Sequence, residues 1–308
     1  MIPGNTDWII STGVSAGGAL SALLGASGGS HLYDEYFKQI GAAEAEDTIF
    51  ASADFCPITD LEHADMAYEW IFGTVPLKDG TLVDQAISQQ LQQAFADYQA
   101  ALKLNGVNGF GALTADNYGQ YLVQTYLAPA ANRYLQALPE AERTAYLAQN
   151  AWITWDGSQA SFSFNDFIRH VGRTKGLPAF DAFDLSAGEN SLFGNETTNA
   201  RHFTKFSLRQ ASGDANAEID SDLGEKVNLM NPMYFINQGC SGCAKYWWLR
   251  TGTSDADTSL TVISNLAASL ENQGKQVNAV LYWDAGHGAD QDAEEFIAWI
   301  GQITGYTP

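Results

Sequence analysis

Short apolar runs followed by helical patterns occupy both ends of the chain. The run 8–12 is followed by Gly13, and a helical pattern of small residues begins at once over 16–24. A second apolar run, 48–53, stops at Cys56-Pro57. The last part of the chain alternates in the same way, with strand patterns over 245–250 and 277–283 and helical patterns over 259–273 and 293–303. Strands separated by helices predict an α/β fold with a parallel sheet.

The middle of the chain has a different pattern. Segments 82–104 and 115–138 carry long helical periodicity rich in Gln, Ala, Leu and Tyr, and a further helix is predicted over 139–148. The stretch 153–157 places Asp-Gly after β-prone residues, which is typical of a hairpin turn. The middle is therefore predicted to be mostly helical and separate from the parallel sheet.

These patterns divide the 308 residues into a core and an insertion. The predicted α/β core comprises 1–72 and 223–308, and the predicted insertion, called the lid below, comprises 73–222. Hydrophobic residues make up 45% of the chain and charged residues 17%, which suffices to bury a core and excludes a disordered chain.

The charge balance restricts the partners. With 36 acidic and 15 basic residues the net charge is −21, and such a surface repels phosphate backbones and anionic lipid. Nucleic acids and membranes are therefore disfavoured, and a neutral small molecule is favoured as substrate. We also expect no membrane span and no signal peptide on this chain, because long apolar runs and a basic, apolar start are both missing. This slightly favours the cytoplasm and leaves the compartment unknown.

The three cysteines do not form a disulfide framework, because their number is odd and the domain is large. Cys240 and Cys243 have C-x-x-C spacing. A metal site would need further Cys or His ligands nearby, and a redox role would need a thioredoxin-like context. We therefore expect ordinary cysteines or a small local bridge, with no metal and no cofactor.

The motif Gly13-Val14-Ser15-Ala16-Gly17 matches G-x-S-x-G between a predicted strand and a predicted helix. Such a sharp turn strains the serine backbone, and glycines flank it where a Cβ would clash. Ser15 Oγ would then be exposed above the sheet, with the Ala16 N–H facing a developing oxyanion. The sequence therefore predicts Ser15 as a nucleophile and Ala16 as an oxyanion donor.

A nucleophilic serine needs a base that a carboxylate orients. In hydrolases with the G-x-S-x-G motif the chain order is serine, then the acid, then the histidine. His287 fits the base, because it lies between glycines after the last predicted strand and before the last helix. The other four histidines are better explained as surface or packed polar residues; they are His31, His63, His170 and His202.

Three aspartates compete for the role of the acid. Asp255 follows the strand that precedes the His287 unit, and it is the favoured candidate. Asp257 is the rival, although it could equally cap a helix or lie on the surface. Asp284 is close to His287 in sequence, but its loop is expected to point it away from the ring.

With these motifs the chain resembles bacterial tannases (tannin acylhydrolases) and tannase-like esterases of the α/β-hydrolase fold. The matching segments run through nearly the whole chain, at 13–18, 56–61, 67–70, 178–181, 188–190, 193–194, 231–233, 252–259 and 286–287. The resemblance implies a triad of Ser15, Asp255 and His287, and a large helical lid between the core segments. It also implies a galloyl-binding set of Lys175, Glu189 and Asp257, whose polar groups would bind the ring hydroxyls; ordinary loop residues are the alternative for Lys175 and Glu189.

The chain departs from the family pattern at its start. Ser15 stands fourteen residues after Met1, whereas an α/β hydrolase normally has four strands and a Gly-rich oxyanion loop before this turn. We expect the strand before Ser15 to form an exposed edge and the second oxyanion donor to be missing. Either this sequence is part of a longer protein, or a partner chain or complementing N-terminal segment covers the edge, for example in a homo-oligomer.

Two classes of function follow. The first is a serine carboxylester hydrolase that cleaves phenolic, galloyl-type esters through an acyl-enzyme, with feruloyl or other aryl or short-acyl esters as the alternative substrates. The second is a remnant with little activity that acts as an oligomeric scaffold. A burst of product from p-nitrophenyl acetate distinguishes them, because only the enzyme forms an acyl-enzyme.

Overall fold

A parallel sheet forms the centre of the core. The computed structural model describes residues 4–306, which form eight strands: β1 (Ile10–Val14), β2 (Ala51–Phe55), β3 (Asn105–Gly106), β4 (Gly111–Ala112), β5 (Thr154–Trp155), β6 (Ala160–Ser161), β7 (Tyr246–Gly252) and β8 (Gln276–Tyr282). Four of them pair in parallel in the order β1-β2-β7-β8. The predicted parallel sheet is confirmed.

The same residues, 4–306, form fourteen α-helices and a few short helical turns. The helices are α1 (Ala16–Ser27), α2 (Asp34–Ile40), α3 (Ala64–Phe72), α4 (Gln85–Leu102), α5 (Ala115–Leu122), α6 (Ala128–Ala137), α7 (Glu140–Gln149), α8 (Phe164–Val171), α9 (Gly188–Leu192), α10 (Lys205–Ser212), α11 (Leu223–Leu229), α12 (Pro232–Asn237), α13 (Leu260–Asn272) and α14 (Ala293–Thr304). No helix within this described part of the chain has the length and apolar character needed to cross a bilayer.

The strand ends differ slightly from the predicted ones. β2 begins three residues later than the predicted run and continues to Phe55. The predicted run ended at Ala53, with Cys56-Pro57 as the stop, yet Asp54 is fully buried and continues the strand to Phe55. Hydrophobic pattern alone cannot include a buried carboxylate, so this end of the strand could not be predicted from periodicity.

Helices cover both faces of the sheet. On one face α1 lies close to β2 and β7, because Gly25 has no side chain and a Cβ there would stand 2.8 Å from atoms of Ser52 and Trp247. On the other face Trp299 and Phe296 of α14 pack on Trp248. This two-sided covering is the layer arrangement expected for a parallel sheet.

The segment predicted as the lid is mostly helical and contributes no strand to the central sheet within residues 4–306. The predicted helix 115–138 is α5 and α6 joined by a π-helical segment, Val123–Leu127. The predicted hairpin is present as the antiparallel pair β5 and β6. Buried side chains of this segment belong to the same apolar cluster as those of the sheet and α13, so the limits 73–222 stay a prediction.

The strand before Ser15 lies at an edge of the sheet, as predicted. Within residues 4–306, β1 pairs with β2 on one side only. Several large apolar side chains near this edge are exposed, among them Trp8 (42%), Ile9 (49%) and Leu20 (68%). An apolar, unpaired edge favours association with another strand.

Cys240 and Cys243 form a disulfide bond, which is the local bridge that the sequence left as one of two possibilities. The bridged turn lies against the end of α1. Its Gly242 is so close to Gly28 that a Cβ would stand 1.7 Å from the Gly28 carbonyl oxygen, so only glycine fits there. The bridge therefore closes a turn that packs tightly on the neighbouring helix.

Candidate active site

Ser15 occupies the sharp turn between β1 and α1. Its backbone has φ 59° and ψ −122°, which is the strained conformation that the motif predicts. The Ser15 N–H donates to the Phe55 carbonyl at 2.9 Å, so the adjacent strand fixes the turn. As the first residue of α1, Ala16 has an N–H without an intrahelical acceptor. The turn thus presents a hydroxyl and a backbone donor at the carboxyl edge of the sheet.

The two glycines of the motif are not equivalent. A Cβ on Gly13 would stand 2.1 Å from the Gly17 carbonyl oxygen, so Gly13 is required. A Cβ on Gly17 would meet no atom within 4 Å, and the second close approach involves Gly18, whose Cβ would stand 2.7 Å from the Phe55 oxygen. The expectation of a clash on both sides of Ser15 is therefore wrong for Gly17.

The structure brings Ser15, His287 and Asp255 together. His287 Nε2 lies 2.8 Å from Ser15 Oγ, and His287 Nδ1 lies 3.0 and 2.9 Å from the two Asp255 carboxylate oxygens. The Asp255 carboxylate is buried, whereas the imidazole is 25% exposed. With Asp255 on Nδ1, the neutral ring carries its proton there and presents Nε2 as an acceptor to the hydroxyl.

The Asp255 carboxylate is fixed by its own loop. Oδ1 accepts hydrogen bonds from the N–H groups of Asp257 and Thr258 at 2.8 and 2.9 Å, and Oδ2 accepts one from the Thr251 hydroxyl at 2.9 Å. These three hydrogen bonds hold the carboxylate in one orientation against the imidazole.

Asp257, the rival acid, faces a different partner. Its Oδ1 lies 2.6 Å from Lys175 Nζ, and the Lys175 ammonium also lies 4.6 Å from the centre of the Phe180 ring. Two of the three residues implied in galloyl binding are thus in contact. Asp257 is not in hydrogen-bond contact with His287 among the described residues.

Glu189, the third residue of that set, lies apart from this ion pair at the start of α9. It lines a cavity of about 320 Å³ that Ala16, the residue after the serine, also lines. The remaining lining residues are mostly apolar; they are Ala19, Leu20, Leu23, Ile58, Leu61, Gly188, Leu192 and Met230. The start of α1, directly after Ser15, therefore borders an apolar cavity that Glu189 also lines.

Cys56 is a site residue that the sequence reasoning missed. Its buried Sγ accepts a hydrogen bond from the Gly288 N–H at 3.2 Å. The same sulfur lies within 4.8 Å of a carboxylate oxygen of Asp255 and a ring nitrogen of His287. Burial raises the pKa of the Cys56 thiol. A signal was available, because Cys56 directly follows β2 and the carboxyl ends of parallel strands share one edge of the sheet.

Asp284 points away from His287, as the sequence analysis expects. Its carboxylate instead contacts two residues of the lid segment, His170 Nε2 at 2.7 Å and the Tyr146 hydroxyl. The remaining three histidines also contact carboxylates, in the pairs His31–Asp34, His63–Asp60 and His202–Asp181.

One further group among residues 4–306 has the composition of a metal site. Potential ligand atoms of Asp60, Glu62 and His63 lie within 4.8 Å of one another. They are already engaged, because His63 Nδ1 lies 2.7 Å from Asp60, and the Asn231 amide donates to both Asp60 and Glu62. This hydrogen-bonded arrangement satisfies the group without an ion.

Solved structures of tannases are similar to the chain over nearly all of it. A native tannin acyl hydrolase from Lactobacillus plantarum is 33% identical with a TM-score of 0.84, and the match covers 98% of this chain and 67% of that one. A tannase from Fusobacterium nucleatum is 36% identical with a TM-score of 0.83 and coverages of 98% and 68%. A tannin acyl hydrolase in complex with ethyl gallate is 33% identical with a TM-score of 0.83 and coverages of 98% and 66%. No protein-family model and no curated protein sequence matches the chain.

The parallel sheet with helices on both faces and the turn at its carboxyl edge define the class as α/β hydrolases. By its similarity to these solved structures, the chain belongs to the tannase family. It spans 67–68% of the length of the L. plantarum and F. nucleatum proteins.

Proposed function

We propose that this chain is a serine esterase that hydrolyses galloyl-type phenolic esters through an acyl-enzyme. The observation that carries the proposal is the hydrogen-bonded series from Ser15 Oγ through His287 to Asp255, with contacts of 2.8 to 3.0 Å. A nucleophile, a base and an orienting acid within hydrogen-bond reach are the requirements for acyl transfer.

In the first half-reaction Ser15 Oγ attacks the ester carbonyl carbon while its proton passes to His287 Nε2. Asp255 holds the imidazole through Nδ1 and stabilises the imidazolium that forms. The Ala16 N–H donates to the oxyanion of the tetrahedral intermediate. The C–O bond to the alcohol then breaks, and the departing alcohol takes the proton from His287.

In the second half-reaction water replaces the alcohol. His287 removes a proton from the water as its oxygen attacks the acyl carbon, and Ser15 recovers its proton when the acyl–serine bond breaks. The products of this half-reaction are a carboxylic acid and the free serine. Every step of both half-reactions is a proton transfer or an acyl transfer. No cofactor enters this scheme.

Substrate selection is assigned to Lys175, Asp257 and Glu189. A trihydroxylated ring needs several acceptors and a donor, and the Lys175–Asp257 pair supplies both at one place. Selectivity arises because a ring without these hydroxyls leaves the polar groups unpaired. The solved tannin acyl hydrolases in complex with ethyl gallate and with 3,4-dihydroxybenzoate support a phenolic acyl group.

Ser15→Ala tests the proposed chemistry. We expect the variant to lose turnover of p-nitrophenyl acetate and methyl gallate by orders of magnitude, together with the burst of p-nitrophenol, while its thermal unfolding stays unchanged. Ser158→Ala, at an exposed serine of the β5–β6 hairpin, is the matched control and should retain both activities. Wild-type turnover in Ser15→Ala would show that the nucleophile is another residue.

A further inference from the structure

We infer that Tyr68 is a positioning residue for galloyl recognition, because it fixes the backbone of the loop that presents Lys175. The inference rests on the proposed function, since it assigns a role to Tyr68 only through the Lys175–Asp257 pair. Tyr68 lies on α3 in the core and is 2% exposed, so it cannot reach a substrate itself.

The Tyr68 hydroxyl accepts two backbone hydrogen bonds from this loop. The N–H groups of Thr174 and Lys175 donate to its oxygen at 3.1 and 2.9 Å. Both donors belong to the irregular segment between α8 and α9, which has no ladder or helix of its own to satisfy them. One buried hydroxyl therefore supplies the acceptor that regular secondary structure supplies elsewhere.

The next residue of α3, Glu69, acts through Arg173 on the carbonyl side of Lys175. Glu69 forms a buried two-pronged ion pair with Arg173, and both side chains are fully buried. Arg173 in turn donates from Nε to the Lys175 carbonyl at 2.9 Å and from its terminal nitrogen to the Gly176 carbonyl at 2.7 Å. Consecutive residues of one core helix thus hold Lys175 at its N–H and, through Arg173, at its C=O.

This anchoring determines where the ammonium can go. A lysine side chain has four flexible carbons and loses much rotamer freedom when it is held in one place. With its backbone fixed, Lys175 places Nζ 2.6 Å from Asp257 and over the Phe180 ring. If the loop loses its anchor, the ammonium samples other positions and the pair is no longer preorganised for a phenolic hydroxyl.

Tyr68→Phe is the decisive variant, because it removes only the hydroxyl. The ring keeps its contacts with Phe72 and Phe180, so the fold should persist. We expect kcat/KM for methyl gallate to fall about tenfold, as loss of one or two neutral hydrogen bonds predicts. Activity on p-nitrophenyl acetate should be largely retained, because an acetyl group has no hydroxyl for Lys175 to bind.

Tyr126→Phe is the matched control. Tyr126 is also buried, and its hydroxyl contacts the Tyr121 hydroxyl at 3.3 Å and forms no hydrogen bond with the Lys175 loop. It should leave the ratio of the two activities unchanged. If Tyr68→Phe fails to fold, 4-aminophenylalanine at position 68 keeps a neutral polar group of the same size that is a much weaker acceptor, and a selective loss of the same sign is expected.

A double-mutant cycle separates positioning from general stability. In a Lys175→Ala background, Tyr68→Phe should cause no further selective loss on methyl gallate, because the side chain it positions is gone. A loss that persists in that background, an equal loss on both substrates, or no loss at all would overturn the inference.

The two proposals fail in different ways. If Lys175→Ala itself does not depress methyl gallate hydrolysis more than p-nitrophenyl acetate hydrolysis, the galloyl-binding proposal is wrong. If Lys175→Ala gives the selective loss and Tyr68→Phe does not, only the positioning role of Tyr68 is wrong.

Discussion

Two aspartates two positions apart have separate partners in this chain. Asp255 contacts the His287 imidazole, and Asp257 contacts the Lys175 ammonium. The Asp257 N–H also donates to the Asp255 carboxylate, so the tight loop turns their side chains in different directions. The sequence left both as candidates for the acid, because spacing alone does not specify where a loop side chain points.

The two carboxylates should therefore respond differently to neutralisation. Asp255→Asn is expected to lower kcat for p-nitrophenyl acetate by roughly three to four orders of magnitude, because the asparagine no longer stabilises the required tautomer and the imidazolium. Asp257→Asn should change kcat for the same ester far less. Steady-state kinetics with this ester checks the order, and equal effects or the reverse order would exchange the two roles.

At the scale of elements, a buried polar network joins α1 to the sheet. Hydroxyls of Ser11, Ser21 and Ser52 contact one another at 2.8 to 3.3 Å, and Ser52 donates to Asp54 Oδ1 at 2.8 Å. Asp54 Oδ2 has no protein partner. Burial raises the pKa of Asp54 to about 7, despite the hydrogen bonds from serines that lower it.

This carboxyl makes stability depend on pH. The native state retains the Asp54 proton above pH 4, where the unfolded chain has released it, so the free energy of unfolding should fall as pH rises from about 4 to about 7. The contribution is at most about 4 kcal/mol at 1.36 kcal/mol per pH unit. Asp54→Asn cannot ionise and should gain stability relative to wild type between about pH 5 and about pH 8 in urea denaturation.

Asp97→Asn is the control for this prediction. Asp97 is exposed on α4 and accepts one hydrogen bond, from Gln93, so it should leave the pH dependence unchanged. If Asp54→Asn and wild type lose stability in parallel over this pH range, Asp54 is ionised in the native state and its environment is more polar than the hydrogen-bond network indicates.

The elements that sequence predicted best are those with strong local periodicity. Short apolar runs predicted the strands of the central sheet, and helical periodicity predicted α13 and α14. The G-x-S-x-G motif between a strand and a helix predicted the Ser15 turn. Contacts between distant segments could not be predicted this way. Tyr68 and Lys175 are 107 positions apart, and no local pattern in either segment encodes their hydrogen bond. Cys56 differs from this case, because its place directly after β2 was a local signal that the sequence analysis did not use.

At the scale of the whole molecule, the edge beside β1 predicts self-association. Trp8 and Ile9 are 42% and 49% exposed beside a strand with one pairing side unused among the described residues. We propose that a second copy of the chain or a complementing N-terminal segment covers this edge, and the net charge of −21 opposes the association of two copies. If a second copy covers it, sedimentation velocity should show a dimer or larger species, and added salt should favour it.

Ile9→Lys tests the location of that contact. A lysine directly before the edge strand β1 opposes pairing there, although it also reduces the net negative charge, which favours association. Weaker association of this variant would therefore point to the edge itself. Ile40→Lys on α2 changes the charge equally at a residue that is 77% exposed, and it should not weaken association. A monomer at micromolar concentration would contradict the association of two copies.

The unequal glycines around Ser15 bear on how related enzymes are recognised in sequence collections. Gly13 is fixed by the carbonyl of Gly17, and Gly18 by the carbonyl of Phe55, whereas position 17 has free space for a methyl group. Alanine is also the better helix former at such a site, by about 0.5–1 kcal/mol. A search pattern that demands both motif glycines is therefore stricter than the geometry of this turn. A pattern that requires glycine at position 13, accepts glycine or alanine at position 17 and requires glycine at position 18 matches the close contacts of this turn.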